Sequence, residues 1–300
     1  MMLLADAVPP APSAAEVMAR AESENFPVAS RVLPRRVRGH LLAVYGFARL
    51  VDELGDSAPG DRLAALDWLE AELDRAYLGE AEHPLLQRLS VTIGECRLPR
   101  EPFVRLIEAN RVDQRVSRYA TWEQLREYCS LSADPVGEIV LGVFGAATPA
   151  RIALSDSICT ALQLAEHCQD VAEDFLAGRI YLPSEDMQRF GAREQDLDPS
   201  DRTSGDRRAL RAVLAFEVER ARELLRRGTP LIGELRGRER IAIAAFVAGG
   251  HAALDAIERA RYDVLAGPPT ASKRRRLAAL LRTLIGRPRG ATALAAPVGS

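Results

Sequence analysis

The sequence predicts an all-α fold, and three observations lead to that prediction. Apolar residues make up 47% of the 300 residues and charged residues 27%, which is the balance of a globular protein. Aromatic residues amount to only 5%, and a composition dominated by alanine, leucine, arginine and glutamate favours helix. Apolar residues recur at helical spacing, and no segment alternates with the period of a strand. We expect a single helical domain, which at this length can bury a core and still enclose a long apolar cavity.

The helix boundaries follow from prolines, glycines and capping residues. Ser13, which has an acid three residues later, has the pattern of an N-terminal cap, and Thr121 is placed to cap another helix. Gly178 and Pro183 follow the longest predicted helix and end it. The polar residues 192–206 are predicted to form a loop. The predicted helices beyond the first are 34–51, 61–78, 100–116, 121–131, 136–145, 149–176, 207–228 and 236–266.

The charge is distributed unevenly along the chain. Residues 267–300 contain seven basic residues and no acidic ones. Removing those seven positive charges from the total of −2 leaves −9 on residues 1–266. An acidic body does not suit nucleic acid, but it suits a protein that concentrates divalent cations. We therefore predict a flexible tail at 1–12, a helical domain at 13–266 and a basic, flexible tail at 267–300.

The cysteines and the first residues of the sequence give an expectation for the cellular compartment of the protein. The four cysteines form no Cys-x-x-Cys pair and no zinc spacing with the four histidines. They are expected to be reduced thiols of a cytoplasmic protein. The start of the chain lacks the pattern of a signal peptide. The longest apolar stretch, 241–257, is short and interrupted by polar residues, and it is predicted to be a buried core helix.

Two Asp-x-x-x-Asp pairs carry the predicted chemistry. Asp52 and Asp56 follow the 34–51 helix, and Asp170 and Asp174 lie within the 149–176 helix. A spacing of four places both carboxylates of a pair on one helix face, where they repel each other. They become favourable if they share a hard cation such as magnesium, which keeps substrate phosphates in its coordination shell. Two such helices facing each other would hold a diphosphate.

The alternative is that these acids lie on solvated helix faces, as most acidic pairs do. The surrounding residues favour the metal interpretation. Asp52 continues a face with Tyr45 and Arg49 on a largely apolar helix, and the second pair extends a polar stripe that contains Gln163 and Glu166. Charge on a buried helix needs partners, and a metal–diphosphate complex would supply them. Arg49 and Arg179 are candidates to bind the phosphate oxygens.

At these residues the sequence resembles the squalene/phytoene synthase family. Residues 45–56 read YGFARLVDELGD, and residues 162–174 read LQLAEHCQDVAED. With GRIYLP at 178–183, they are similar to the two aspartate-rich motifs of that family. The resemblance covers about residues 22–265. Within the family the chain is most similar to the bacterial hydroxysqualene synthases of hopanoid and squalene biosynthesis, on the segments at 24–30, 128–137 and 254–258.

The resemblance implies an isoprenoid synthase fold and a prenyl diphosphate substrate. It implies conversion of presqualene diphosphate to hydroxysqualene and diphosphate, with about two or three Mg²⁺ ions and without NAD(P)H. The residues that match the family's catalytic, metal-binding carboxylates are Asp52, Asp56, Asp170 and Asp174, with Glu166 as a further ligand where the family usually has asparagine. The residues that match its substrate-binding positions are Ser23, Asn25, Tyr45, Arg49, Tyr128, Gln163, Arg179 and Tyr181.

Two other functions and one question of location stay open. A synthase of the same family would instead condense farnesyl diphosphate to presqualene diphosphate or squalene, or make phytoene. A relative of another class would keep the fold as a non-catalytic assembly or lipid-binding protein. Other enzymes of the squalene pathway are expected partners. The basic tail, with four leucines at 277–284, would either rest on the inner face of the membrane or be disordered.

Overall fold

The structure is a computed structural model that describes Ser13, residues 33–201 and residues 207–285 of the chain. Every regular element within those residues is helical. The one β-type contact among them is an isolated bridge between Arg118 and Ile180. The prediction of an all-α fold is therefore confirmed.

Four predictions fall outside the described residues: the tail at 1–12, the helix that follows Ser13, and the site residues Ser23 and Asn25. The described helices are α1 (Arg35–Asp52), α2 (Arg62–Leu78), α3 (Pro84–Cys96), α4 (Glu101–Asp113), α5 (Trp122–Ser132), α6 (Asp134–Val143), α7 (Pro149–Gln169), α8 (Val171–Leu176), α9 (Ser184–Phe190), α10 (Arg208–Gly228), α11 (Leu231–Glu234), α12 (Gly237–Arg259) and α13 (Lys273–Ile285). A π-helical turn, Glu53–Ser57, extends α1, and Glu194–Leu197 form a 3-10 turn in the predicted loop.

Side-chain caps explain where several helices begin. The Thr121 hydroxyl accepts a hydrogen bond from Gln124 N at 3.3 Å at the start of α5, as predicted. Asp61 Oδ1 accepts one from Ala64 N at 3.1 Å at the start of α2. Each cap satisfies a backbone N–H that has no partner within the first turn of its helix.

The second acidic motif departs from the predicted geometry. The prediction of one uninterrupted helix over 149–176 is wrong, because α7 ends before Asp170, where φ is −101° and ψ is 16°. The backbone continues with hydrogen bonds from Asp170 N to Glu166 O and from Asp174 N to Asp170 O. The pair therefore spans a bend. Neither proline nor glycine marks this bend, but aspartate is a poor residue for a helix interior because its side chain competes for backbone hydrogen bonds.

The C-terminal region also differs from the prediction. The helix predicted over 236–266 ends at Arg259, and both Arg261 and Tyr262 adopt left-handed conformations with φ of 53° and 58°. Part of the predicted flexible tail at 267–300 is the helix α13, which packs on α12. Small side chains allow this close packing. The buried alanines of the seam are Ala248, Ala252, Ala256, Ala271 and Ala279.

The core is built around α7, which packs along α10, α6 and α12. By length and composition, α12 is the one described helix that could cross a membrane, but 56% of its apolar window is buried inside the fold. Val247, Leu254 and Ile257 of α12 are fully buried. We therefore regard α12 as the core helix that the sequence predicts at 241–257.

A close contact between α10 and α7 makes one glycine necessary. A Cβ atom at Gly228 would lie 2.7 Å from the backbone oxygen of Leu154 and 2.5 Å from Ile158 Cγ1. Gly249, on α12, is exposed and has open space around its Cα. We expect Gly228→Ala to lower the free energy of unfolding by about 1–3 kcal/mol through overpacking.

The matched control is Gly249→Ala, which should raise the free energy of unfolding by about 0.5–1 kcal/mol because alanine is the better helix former. Urea denaturation followed by circular dichroism measures both values. Equal effects of the two substitutions would contradict the packing that we describe between α10 and α7.

Candidate active site

The first acidic motif is positioned by the buried face of α1. Phe47, Leu50 and Val51 are 0–1% exposed and fix this helix in the core. Asp52 is its last residue, and Asp56 lies in the π-helical turn that follows. The side chains of both aspartates stay about half exposed, at 47% and 50%. The core thus holds the backbone of the motif while its carboxylates point away from the apolar packing.

Contacts with α4 hold the π-helical turn in place. The Gln114 side-chain amide donates a hydrogen bond to the carbonyl oxygen of Gly55 at 2.9 Å. A Cβ atom at Gly55 would lie only 1.9 Å from Asn110 Oδ1, so this close approach requires glycine. The Asn110 side chain also hydrogen-bonds to Asp52. The side-chain amides of Asn110, on α4, and of Gln114, directly after it, therefore set the position of the first motif.

An ion pair joins the first motif to the segment that follows the second. Arg179 Nη1 lies 2.8 Å from Asp56 Oδ1. The backbone leading to Arg179 turns through Gly178, which has a φ of 82°, and Arg179 N donates to the carbonyl oxygen of Asp174 at 2.8 Å. The structure thus brings the two predicted motifs together, although they are more than a hundred residues apart in the sequence.

The segment after α8 is tied to the connection between α4 and α5. Ile180 N donates to Ser117 O at 2.9 Å, and the Arg118 guanidinium donates to Gly178 O at 2.7 Å. Arg118 also forms an ion pair with Glu194 at 3.0 Å. These contacts fix the loop that carries Arg179 and Tyr181, so its geometry does not depend on the ion pair with Asp56 alone.

Negative charge accumulates where the motifs meet. Although its side chain is about half exposed, desolvation by the surrounding protein raises the pKa of Asp52 to about 7. Arg49 opposes this shift, and the carboxylates of Asp56 and Glu166 add to it. Burial likewise raises the pKa of Asp174 to about 7, with added effects of Asp170 and Glu166 and an opposing effect of Arg179. Glu166, which is exposed, is close enough to both motifs to act on Asp52 and on Asp174.

Asp170 belongs to the same charged region. Burial raises its pKa to about 6, and the neighbouring Glu173 adds to the shift. A raised pKa means that the fold disfavours the ionised carboxylate. Any cation that binds between the motifs would relieve this penalty.

The carboxylates do not form a ready-made metal cage. In the part of the chain that the structure describes, no three acidic, histidine or cysteine side chains are arranged to hold one metal ion. Magnesium, however, usually binds through one or two carboxylates together with water and substrate phosphates. The oxygen donors of Asp52, Asp56, Asp170 and Asp174 fit that mode of binding, and the predicted metal site stays a prediction.

Asp113, at the end of α4, is a site residue that the sequence analysis missed. Its carboxylate accepts hydrogen bonds from the hydroxyl of Tyr128 at 2.7 Å and from the hydroxyl of Tyr181 at 3.0 Å. Burial raises the pKa of Asp113, and the two hydrogen bonds oppose that shift. The signal that could have revealed it is the helical spacing of the polar residues Asn110, Asp113 and Gln114 at the end of α4.

The two tyrosines belong to an aromatic wall beside the acids, formed by Tyr119, Tyr128, His167 and Tyr181. The His167 ring stacks on Tyr181 with a centroid distance of 4.0 Å and an angle of 9°. The Tyr128 and Tyr181 rings lie 5.5 Å apart. Burial lowers the pKa of His167 to about 3 and raises the pKa of both tyrosines. The wall is therefore electrically neutral near pH 7.

The remaining predicted residues lie along α1 and α7. Arg49 Nη1 is 3.4 Å from Asp52 Oδ2. Gln163 Nε2 is 3.4 Å from His167 Nε2, which links the polar stripe of α7 to the aromatic wall. Tyr45 is half-buried on α1, one turn before Arg49.

The raised pKa of Asp174 predicts a pH-dependent stability difference. In the unfolded chain this carboxyl group ionises near pH 3.9, whereas in the fold its pKa is about 7. Ionised Asp174 therefore destabilises the fold increasingly as the pH rises from about 4 to about 7. We expect Asp174→Asn to match the wild type in stability near pH 4 and to become the more stable protein by pH 7.

Urea denaturation across this pH range measures the difference. The control is Glu127→Gln, which removes an exposed acid on α5 and should shift stability by no more than about 0.5 kcal/mol at any pH. An Asp174→Asn variant that is less stable than the wild type at about pH 8 would contradict the proposed crowding of charge.

Comparisons with known proteins agree with this geometry. The family model for squalene/phytoene synthase matches residues 19–279. A hydroxysqualene synthase from Rhodopseudomonas palustris is 36% identical over 71% of this chain and 72% of its own. A phytoene synthase from Mycobacterium tuberculosis is 31% identical over 77% of this chain and 76% of its own.

A solved structure extends the agreement to three dimensions. The crystal structure of squalene synthase HpnC from Alicyclobacillus acidocaldarius shares 46% identity with this chain. The two structures superpose over 83% of this chain and 93% of the HpnC chain, with a TM-score of 0.75. The helical architecture described above is accordingly the isoprenoid synthase fold. The chain belongs to the squalene/phytoene synthase family.

Proposed function

We propose that this protein converts presqualene diphosphate and water to hydroxysqualene and diphosphate, with magnesium bound between its two acidic motifs. The observation that carries the proposal is the Asp56–Arg179 ion pair of 2.8 Å, which places both motifs at one site. The relatives support the choice of reaction, since one is a hydroxysqualene synthase at 36% identity. In the proposed reaction a C–O bond to diphosphate breaks and a C–O bond to water forms, without a net redox change.

The four aspartates would hold the metal ions. Asp52 and Asp56 would bind from one side, and Asp170 and Asp174, with Glu166, from the other. When bound, magnesium would act as a Lewis acid that stabilises the charge on the leaving diphosphate. The chain's own contribution is to hold these oxygen donors in fixed positions on α1 and its π-helical turn and on α7 and α8, so that little reorganisation is needed during the reaction.

Two arginines are placed to bind the diphosphate. Arg49 and Arg179 each lie beside an aspartate of the first motif, at 3.4 Å and 2.8 Å. A guanidinium group can bind two phosphate oxygens at once and stays charged at all relevant pH values. In the substrate complex we expect each guanidinium group to replace some of its hydrogen bonds to carboxylates with hydrogen bonds to the diphosphate.

The aromatic wall suits the carbocation that loss of diphosphate leaves behind. The faces of tyrosine rings attract a cation, and they do so more strongly when water is excluded. Tyr128 and Tyr181 are less than 10% exposed, and their hydroxyl protons are held by Asp113. In the proposed reaction a water molecule adds to the cation and then loses one proton, which gives the alcohol.

A condensing reaction is the second candidate. The phytoene synthase at 31% identity supports it, because it aligns over a similar share of both chains. A condensing enzyme would consume farnesyl or geranylgeranyl diphosphate and form a bond between two prenyl chains. A non-catalytic role is disfavoured, since all four aspartates are retained and two of them have strongly raised pKa values.

Product analysis separates these functions. We expect purified protein with Mg²⁺ and presqualene diphosphate, but no reductant, to release hydroxysqualene and diphosphate. Farnesyl and geranylgeranyl diphosphate, tested separately, should be left unchanged. Consumption of either would favour the condensing reaction, and no turnover of any of the three would favour the non-catalytic role.

The assigned carboxylates predict a matched pair of inactive variants. We expect Asp52→Asn and Asp170→Asn each to lower turnover by at least about 100-fold, because each removes a metal-binding charge. Neither variant should have a lower melting temperature, since both remove charge from a repulsive cluster. Initial rates and thermal unfolding measure the two effects, with Glu127→Gln as the control. Normal turnover of either variant at saturating Mg²⁺ would remove that residue from the metal site.

Protons and magnesium should compete for the same carboxylates. Because the pKa values of Asp52 and Asp174 are about 7, both are largely protonated at pH 6 and ionised at pH 8. We expect the half-saturating Mg²⁺ concentration to fall about tenfold from pH 6 to pH 8 for each proton displaced. Initial rates and the rise in melting temperature on adding Mg²⁺ provide two independent measurements. The same half-saturating concentration at both pH values would contradict this assignment.

A further inference from the structure

The helix α13 presents an apolar strip to solvent. Leu277 and Leu281 lie one turn apart and are 58% and 51% exposed, respectively. Ala279, which is 3% exposed, faces the other way and packs on α12. Leucines one helical turn apart form a continuous strip. This strip has no role in the proposed reaction, and it is among the few places where the described residues expose large apolar side chains.

Positive charge surrounds this strip. Arg274 and Arg275 are exposed in the first turn of α13, and the side chain of Arg282 is 72% exposed in the last turn. The first turn contains no acidic residue. Basic residues there are unfavourable, because the helix dipole already places partial positive charge at that end. An anion at the start of α13 would relieve this repulsion.

We propose that the exposed face of α13 docks this protein onto an anionic phospholipid surface. Lipid phosphates match the arginines, and the acyl region beneath them matches Leu277 and Leu281. Nucleic acid would match the arginines but not the leucines, which are 58% and 51% exposed. The α13 helix of a second copy of the chain would match the leucines, but the arginines of the two helices would repel each other.

The docking surface is preformed. A seam of small residues on α12, which includes Ala248, Ala252 and Ala256, holds α13 against the core. The side chain of Arg282 also approaches Asp255 of α12 at 4.0 Å. The helix therefore need not fold on contact with lipid, which removes an entropic cost that short basic peptides bear when they bind membranes.

Flotation of the full chain with vesicles tests the proposal. We expect binding to vesicles of phosphatidylglycerol mixed with phosphatidylcholine, no binding to phosphatidylcholine alone, and a loss of binding at high salt. Arg274→Gln with Arg275→Gln should lower the partition coefficient about 30-fold. Leu277→Ser with Leu281→Ser should lower it at least about tenfold.

The matched control is Arg226→Gln with Arg227→Gln. This is also an adjacent pair of exposed arginines on a helix, with side chains 68% and 65% exposed, but it lies on α10. It should bind vesicles as the wild type does, and thermal unfolding should show that all variants fold. Failure of the wild type to float with anionic vesicles, or equal flotation of the α13 variants, would overturn the proposal.

Self-association is the other outcome that the experiment distinguishes. Sedimentation velocity without lipid should give the same species for the wild type and for Leu277→Ser with Leu281→Ser. If the substitutions instead convert an oligomer to a monomer, the strip binds a second copy of the chain and the lipid proposal is overturned. The test needs no substrate, so its result is independent of the reaction that the enzyme catalyses.

Discussion

The site depends on one constraint, the desolvation and mutual repulsion of carboxylates that apolar packing holds in place. The core fixes α1 and α7, and it brings Glu166 of α7 close enough to act on both Asp52, at the end of α1, and Asp174, on α8. Separate motifs on a flexible chain would move apart. Here the folding energy of the domain holds them together, and Arg179 offsets only part of the charge through its ion pair with Asp56. A divalent cation and an anionic substrate would complete the balance.

The neutral aromatic wall beside the acids divides the site into two chemically distinct parts. The acidic part suits a metal–diphosphate complex, and the aromatic part suits a prenyl chain and a cation derived from it. Asp113 couples the two parts, because it orients both tyrosine hydroxyls and its own pKa responds to Arg179 and Asp56. The arrangement accounts for a half-buried carboxylate that lies in neither aspartate-rich motif.

Much of the fold and part of the site could be predicted from sequence. Periodicity and caps identified most of the helices, and the spacing of four together with the apolar surroundings identified both aspartate pairs. Tertiary effects could not be predicted in the same way. No helix-breaking residue marks the bend at Asp170, Asp113 is recognisable only from its contacts with residues distant in sequence, and α13 is helical because α12 offers it a seam of alanines. The Pro-Pro pair after Gly267 and the basic composition of the residues beyond it had predicted a tail.

The most direct test of the central claim is a crystal structure of the protein with Mn²⁺ in place of magnesium and with diphosphate. Anomalous scattering locates manganese independently of the protein atoms. We expect anomalous peaks between the two motifs, within about 2–2.5 Å of carboxylate oxygens from both Asp52 and Asp170 or Asp174, with diphosphate bridging them. Peaks at one motif only, or none between the helices, would contradict the account.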